Sequence, residues 1–443
     1  MDTLSICRDA ARKPVTTIRY LKTAMAGEKV IVFAGIMTLG NLCAMASQLI
    51  SGLLAARWVS PADLGAYSSI LLVQVYSTFL QGGVINGLTR ELPYTMATGD
   101  RPAASRLAST AFAWAILSGL AGIVAGLAWV RYETASSGMR LVCASTTVSI
   151  MCGTYFLKLY LQATMRTTAE FARLAAVQAA VALATIPLTG LVYFYGFAGL
   201  CTRTSLAAVL EILLLWRWRP FRVKPFLDTR ALLRLVRIGI PILIVTYLEL
   251  AYSRLDSLVV IKYLGSHQLG LYQPATIVMA ASGSVAGAMM SVTYPKMVER
   301  YAVSKSLGEA LRVARRITVS AAVVGFPVLV VAYSVLPSMI NAWMPAYNQG
   351  TAACRLALIA AYASIFCIPA NIFNVVAKQW IYSAFLIAAA AVFIAVLYTN
   401  PLSQRDRLAR VAGACLVARV VLSVSVTGAA VAMGLLEKRR LCL

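Results

Sequence analysis

Residues 52–69, GLLAARWVSPADLGAYSS, align without a gap on residues 257–274, SLVVIKYLGSHQLGLYQP, 205 positions further on. Arg57 falls on Lys262, Trp58 on Tyr263, Leu64 on Leu269, Gly65 on Gly270 and Tyr67 on Tyr272. About 23 residues beyond the shared tyrosine each half reaches a basic stretch carrying a proline, Pro93 in TRELPYTM and Pro295 in TYPKMVER. An internal echo of this kind marks two structural halves, and what surrounds it sets their nature.

The surroundings are apolar almost throughout. Sixty per cent of the 443 residues are hydrophobic and 13% are charged, with mean hydropathy +0.77. No water-surrounded core buries such a composition, so the bilayer is the solvent. Runs of about 20 apolar residues, enough to cross roughly 30 Å of hydrocarbon, are then the structural unit. They are expected at 31–56, 65–87, 107–130, 141–164, 173–195, 198–216, 238–263, 270–294, 317–340, 354–376, 381–399 and 409–434. The expected fold is an all-α integral membrane protein of about 12 transmembrane helices in two six-helix lobes.

Six spans per half is an even number, so both halves enter the membrane in the same direction. Parallel repeats are related by an axis along the membrane normal and leave a cleft between them, which is transporter architecture. The division expected is a basic tail at 1–29, a first lobe at 30–216, a basic linker at 217–236, a second lobe at 237–435 and a tail at 436–443. Within the linker, Asp228 is placed to cap a short interfacial helix with Leu232, Leu233 and Val236 on its apolar side. The linker also reads as a simple tether.

Lys and Arg are retained on the cytoplasmic side, and with both termini inside, the inner stretches hold about 28 of the 40 cations. The outer loops hold about eight, and inverting the topology would reverse the bias. The formal net charge of +24 then reflects loops such as Arg217, Arg219, Arg222, Lys224, Arg230, Arg234 and Arg237 lying against anionic headgroups. These cations are scattered over many loops rather than gathered in one footprint, which argues against nucleic acid.

Nine cysteines, including Cys43, Cys152, Cys201, Cys367 and Cys415, lack any paired short spacing and read as small packing residues. The single histidine, His267, lies in the loop after the seventh span and has no partner for a metal. There is no Walker A loop, Cys/His ligand spacing, nucleophile elbow or Asp-rich sugar-nucleotide motif. No catalytic residue and no cofactor are therefore assigned.

Ionisable residues at bilayer depth are costly and mark function by default. The run TYLELAYSRLDSLVV carries Glu249, Arg254 and Asp256 near the middle of the seventh span. On an unbroken helix Glu249 and Asp256, seven apart, share a face near Ser253, while Arg254 points almost oppositely, beside Tyr247. Lys158, Arg203 and Arg419 lie within the fourth, sixth and twelfth spans. Lys158 and Arg203 are close enough to helix ends to snorkel, and Arg419 is deeper. Glu211 reads as interfacial. With it set aside, four cations face two anions, a balance suited to an anionic guest gripped by guanidinium groups. Arg254, Arg419, Arg203 and Lys158 are the candidate substrate-binding cations, and Glu249 and Asp256 the candidate ion-coupling acids. Pro187, Pro241, Pro327 and Pro369 sit in or at the ends of spans, where kinks assist a moving cleft.

Residues 237–302 resemble the polysaccharide transporter family, the Wzx-type O-antigen and capsule flippases of the multidrug/oligosaccharidyl-lipid/polysaccharide superfamily. The resemblance rests on Gly239-Ile240-Pro241, Asp256, Leu264-Gly265, Gly270-Leu271-Tyr272 and Tyr294-Pro295, with the N-terminal echo AARWVSPADLGAYSS similar as well. It implies two lobes working by alternating access in the bacterial inner membrane. The implied cargo is an undecaprenyl-pyrophosphate-linked oligosaccharide whose headgroup crosses a cationic lumen while its lipid tail stays in the bilayer, in company with polysaccharide polymerase machinery. Here Ser253-Arg254-Leu255 precedes Asp256, whereas relatives more often place the basic residue after the acid.

Two other readings stand beside a flippase. A multidrug or metabolite antiporter of the same superfamily would want an acidic site for protons, sodium or cationic drugs. A membrane polysaccharide polymerase would carry a large outer loop, and the outer loops here are about a dozen residues or shorter.

Overall fold

The computed structural model describes residues 27–133, 138–304, 306–376, 378–399 and 406–441. Every regular element among them is helical. The tail expected at 1–29 lies almost entirely outside the described residues.

The first half is built from α1 (Gly27–Trp58), α2 (Pro61–Ser77), α3 (Val84–Ala97), α4 (Arg101–Glu133), α5 (Met139–Thr167), α6 (Phe171–Leu188) and α7 (Gly190–Arg217). The second comprises α8 (Thr229–Ser253), α9 (Leu255–Leu264), α10 (Ser266–Ser304), α11 (Leu307–Trp343), α12 (Thr351–Ala363), α13 (Asn371–Val375), α14 (Gln379–Thr399) and α15 (Arg407–Leu441). All twelve expected spans are found as helices or interrupted helices. Nine of the described segments are long and apolar enough to cross a membrane by themselves, and the bent pair Pro61–Gln81 and Val84–Ala97 makes a tenth.

Three interruptions shape the spans. The second bends by 55° where Gly82 (φ 57°) and Gly83 (φ 78°) adopt left-handed conformations open to glycine. A Cβ on Gly83 would also strike the backbone of Gly239 in α8, so the bend is where the halves touch. The seventh breaks at Arg254 (φ −122°, ψ 9°). The helical path of α7 is interrupted at Gly196 (φ 51°, ψ −121°), which turns the chain between the fifth and sixth spans. Of the prolines singled out, Pro241 and Pro327 stay inside continuous helices. Pro369 falls in the 3-10 segment Ser364–Ala370 that divides the tenth span.

The linker differs from expectation. Asp228 does cap a helix, its carboxylate accepting the Arg230 N–H at 2.9 Å, but that helix is α8 itself rather than a separate interfacial piece. Its buried side is Ala231 and Leu235, with Leu232 and Val236 packed against the first-lobe core. Leu233, expected on that side, is 64% exposed.

The repeated segments meet each other. A Cβ on Gly65 would fall on the Ser266 carbonyl and the Gly270 nitrogen, and one on Gly270 would fall on the Pro61 carbonyl and the Gly65 nitrogen. Pro61 and Ser266 are themselves repeat partners. So are Ser68 and Gln273, which are hydrogen-bonded across the same crossing. Contacts between equivalent positions occur only on a symmetry axis, so a pseudo-twofold axis passes between α2 and α10. Only glycine lets two backbones approach this closely.

Candidate functional site: a charged cavity in the second lobe

The centre of the site is the break at Arg254. Leu255 restarts the helix as α9, and Asp256 occupies its first turn, where a carboxylate meets free backbone N–H groups and the positive end of the helix dipole. Asp256 Oδ1 accepts the Ser257 N–H at 2.7 Å, and Oδ2 accepts the Tyr272 hydroxyl at 2.9 Å. Asp256 is buried, and both of its oxygens are occupied. From the first lobe, the Tyr76 hydroxyl reaches the Arg254 carbonyl at 3.5 Å.

This break overturns the expected facing of the three charges. The opposition of Arg254 to Glu249 and Asp256 holds for one continuous helix, and interrupting the helix resets its phase. Glu249, Arg254 and Asp256 all line a single cavity of ≈ 430 Å³. Arg419 enters the same cavity from α15, with Gln48 of α1 as the first-lobe contribution.

The cations and anions in this cavity are differently placed. Glu249 and Tyr382 line the cavity together. The Arg419 guanidinium lies 4.9 Å from the centre of the Tyr252 ring, in cation–π range. Its Nε is buried with no hydrogen-bond partner, and so is the Tyr252 hydroxyl. Among the described residues neither Arg254 nor Arg419 has a carboxylate oxygen within 4.0 Å. Donor capacity is left free on the arginines, Arg419 Nε included, while both oxygens of Asp256 already accept.

Lys158 and Arg203 are not brought to this cavity. Lys158 lies 2.8 Å from Glu211, on the wall of a separate hollow in the first lobe. Glu211 is thus the partner of Lys158, and the expected excess of four cations over two anions in one cleft does not hold. The second-lobe cavity has two of each. Arg203 points its Nη1 at the Ser51 carbonyl, 3.4 Å away. Ser51 is the repeat partner of Asp256. His267 is exposed in the first turn of α10.

Sequence reasoning missed the residues that tune these charges. Tyr252, Tyr382 and Gln48 are uncharged residues within apolar spans and carry no local signal. Tyr272 was visible as a repeated residue, but its bond to Asp256 was not.

The sequence profile of the family described as Polysaccharide biosynthesis protein matches residues 54–345. Among solved structures, similarity is found to an inward-facing multidrug resistance MATE family transporter of the MOP superfamily, at TM-score 0.71 and 12% identity over 91% of this chain and 99% of that one. An outward-facing MATE family transporter matches at TM-score 0.64 and 14% identity, over 92% and 96%. A MOP superfamily transporter from Pyrococcus furiosus, for which a reversed polarity of the binding pocket suggests a different function, matches at TM-score 0.64 and 14% identity, over 90% and 94%. No curated protein matches the chain.

Proposed function

Because the chain belongs to the polysaccharide biosynthesis protein family and has the MOP-superfamily transporter fold, we propose that it is a flippase for undecaprenyl-pyrophosphate-linked oligosaccharide in the bacterial inner membrane. It serves O-antigen, capsule or exopolysaccharide assembly and hands its product to a polymerase outside. It acts without covalent chemistry. The diphosphate and sugars are what the hydrocarbon excludes, and a polar cavity reachable from each side in turn lowers that barrier.

The observation that carries this reading is the free donor capacity of Arg254 and Arg419 beside a carboxylate, Asp256, whose oxygens are both occupied. Guanidinium groups in a low-dielectric hollow bind phosphate oxygens in pairs. With both termini cytoplasmic, the end closed by the Gly65–Gly270 crossing faces outward, so the state proposed is the inward-facing one. The higher TM-score to the inward-facing transporter supports that assignment.

Glu249 favours a second reading, an antiporter, since its carboxylate opens onto the cavity and suits a cation. The two part in a strain lacking this protein. Lipid-linked repeat units confined to the cytoplasmic face support the flippase. Normal lipid-linked intermediates with altered drug sensitivity support the antiporter and overturn the flippase.

A further inference from the structure

The internal repeat relates the charged cavity to another in the first lobe. Positions 74 and 279 are repeat partners: Met279 lines the ≈ 430 Å³ cavity, and Gln74 lines a hollow of ≈ 180 Å³ between α2, α5, α6 and α7. Thr154, Tyr155, Lys158, Thr204 and Glu211 complete the polar part of its wall.

The chemistry of this hollow differs from that of its partner. The Lys158 Nζ sits 2.8 Å from Glu211 Oε2, and the Gln162 amide approaches Oε1 at 3.4 Å. Both charges remain partly accessible, with Lys158 31% and Glu211 15% exposed. An entering anion meets Glu211 and an entering cation meets Lys158, so neither is favoured. A neutral ligand finds ammonium donors and carboxylate acceptors side by side, since an ammonium has three donors and a carboxylate about four acceptor sites, of which one of each is used mutually. Hydroxyl groups of a polyol can both donate and accept in this way, and the Tyr155 ring offers an apolar face for sugar C–H groups.

The wall is also held in place. The Thr204 hydroxyl shares a 2.5 Å hydrogen bond with Tyr67, and Tyr155 shares one of 2.9 Å with Thr78. Both partners belong to the second span, the one that crosses the second lobe at Gly65.

We infer that the first-lobe hollow is a sugar subsite, in which Lys158, Glu211 and Gln74 hydrogen-bond a neutral sugar residue of the cargo while Arg254 and Arg419 hold its diphosphate. This rests on the proposed flippase function. A charged diphosphate and a neutral oligosaccharide are the two polar parts of such a cargo, and one cavity matches each.

The test uses the full-length protein in detergent and two probes: undecaprenyl diphosphate, and the lipid-linked oligosaccharide extracted from a strain lacking this protein. The wild type is expected to bind the glycosylated lipid about tenfold more tightly than the bare carrier, a ratio worth about 1.4 kcal/mol. K158M/E211Q removes both charges together and leaves neither stranded. It is expected to bind the bare carrier as the wild type does and to lose the preference for the glycosylated lipid. Gln74→Leu leaves the ion pair in place and is expected to lose about threefold of that preference, as for one hydrogen bond. A double variant that keeps the full preference, or a wild type that binds both lipids equally, overturns the subsite while leaving the flippase reading intact. A wild type that binds neither lipid overturns both.

Discussion

Arg419 lies over Tyr252 with its Nε free, Arg254 lies at a helix break with no carboxylate oxygen within 4.0 Å among the described residues, and both face the same ≈ 430 Å³ cavity. Lys158 and Arg203 have the same charge and similar depth in the sequence, yet one is held by Glu211 and the other by the Ser51 carbonyl. These partners are 53 and 152 positions away. That distance is why sequence alone could nominate the four cations but not sort them. Losing a charge-assisted hydrogen bond costs about 1.5–3 kcal/mol, or roughly 10- to 100-fold in rate when it acts on the transition state for transport. Arg254→Ala and Arg419→Ala are each expected to lower transport by at least about tenfold with normal amounts of protein in the membrane. Arg419→Lys is expected to restore little, because an ammonium lacks the paired donors of a guanidinium. Polysaccharide at the cell surface, measured against membrane protein content, checks both, and wild-type levels in either alanine variant would assign these cations a structural part.

The elements carry a different kind of information. Hydropathy located every span, because crossing hydrocarbon demands length and apolarity that show in any window. The breaks were harder to see. Gly82-Gly83 lies inside an apolar run and reads as ordinary membrane helix until its contact with Gly239 is known. Arg254 has no proline or glycine beside it, and its break goes with tertiary bonds from Tyr76 and Tyr272 to the chain around it. Pro241 and Pro327, the local signals for a break, leave their helices continuous. The repeat was legible from aligned residues, and its meaning emerged in the crossing of Gly65 and Gly270. Gly65→Ala places a Cβ on the Ser266 carbonyl, so this close crossing cannot form. The variant is expected to separate the lobes at that end. Spin labels at the exposed repeat partners 57 and 262, in a cysteine-free background, should show a longer distance in Gly65→Ala than in the parent. Unchanged distances would mean that the crossing tolerates the methyl group and is not the closure.

For the whole molecule, two halves of similar design have come to hold different chemistry. The first lobe neutralises its own buried charge through Lys158 and Glu211, whereas the second keeps free guanidinium donors around its cavity. In the proposed orientation, with both termini cytoplasmic, the sealed end is the outer one. Single cysteines at Gln48 and Gly283, which line the cavity, are therefore expected to react with a membrane-impermeant thiol reagent in inverted inner-membrane vesicles and not in intact spheroplasts. The reverse pattern would place the termini outside. The central claim concerns cargo, and its most direct measurement is translocation in proteoliposomes containing only the purified protein and lipid-linked oligosaccharide. Sugar on the inner leaflet should become accessible to an external glycosidase at a rate that depends on the protein and falls at least about tenfold in Arg419→Ala. A rate equal to that of protein-free liposomes, with the protein folded and inserted, would contradict the account.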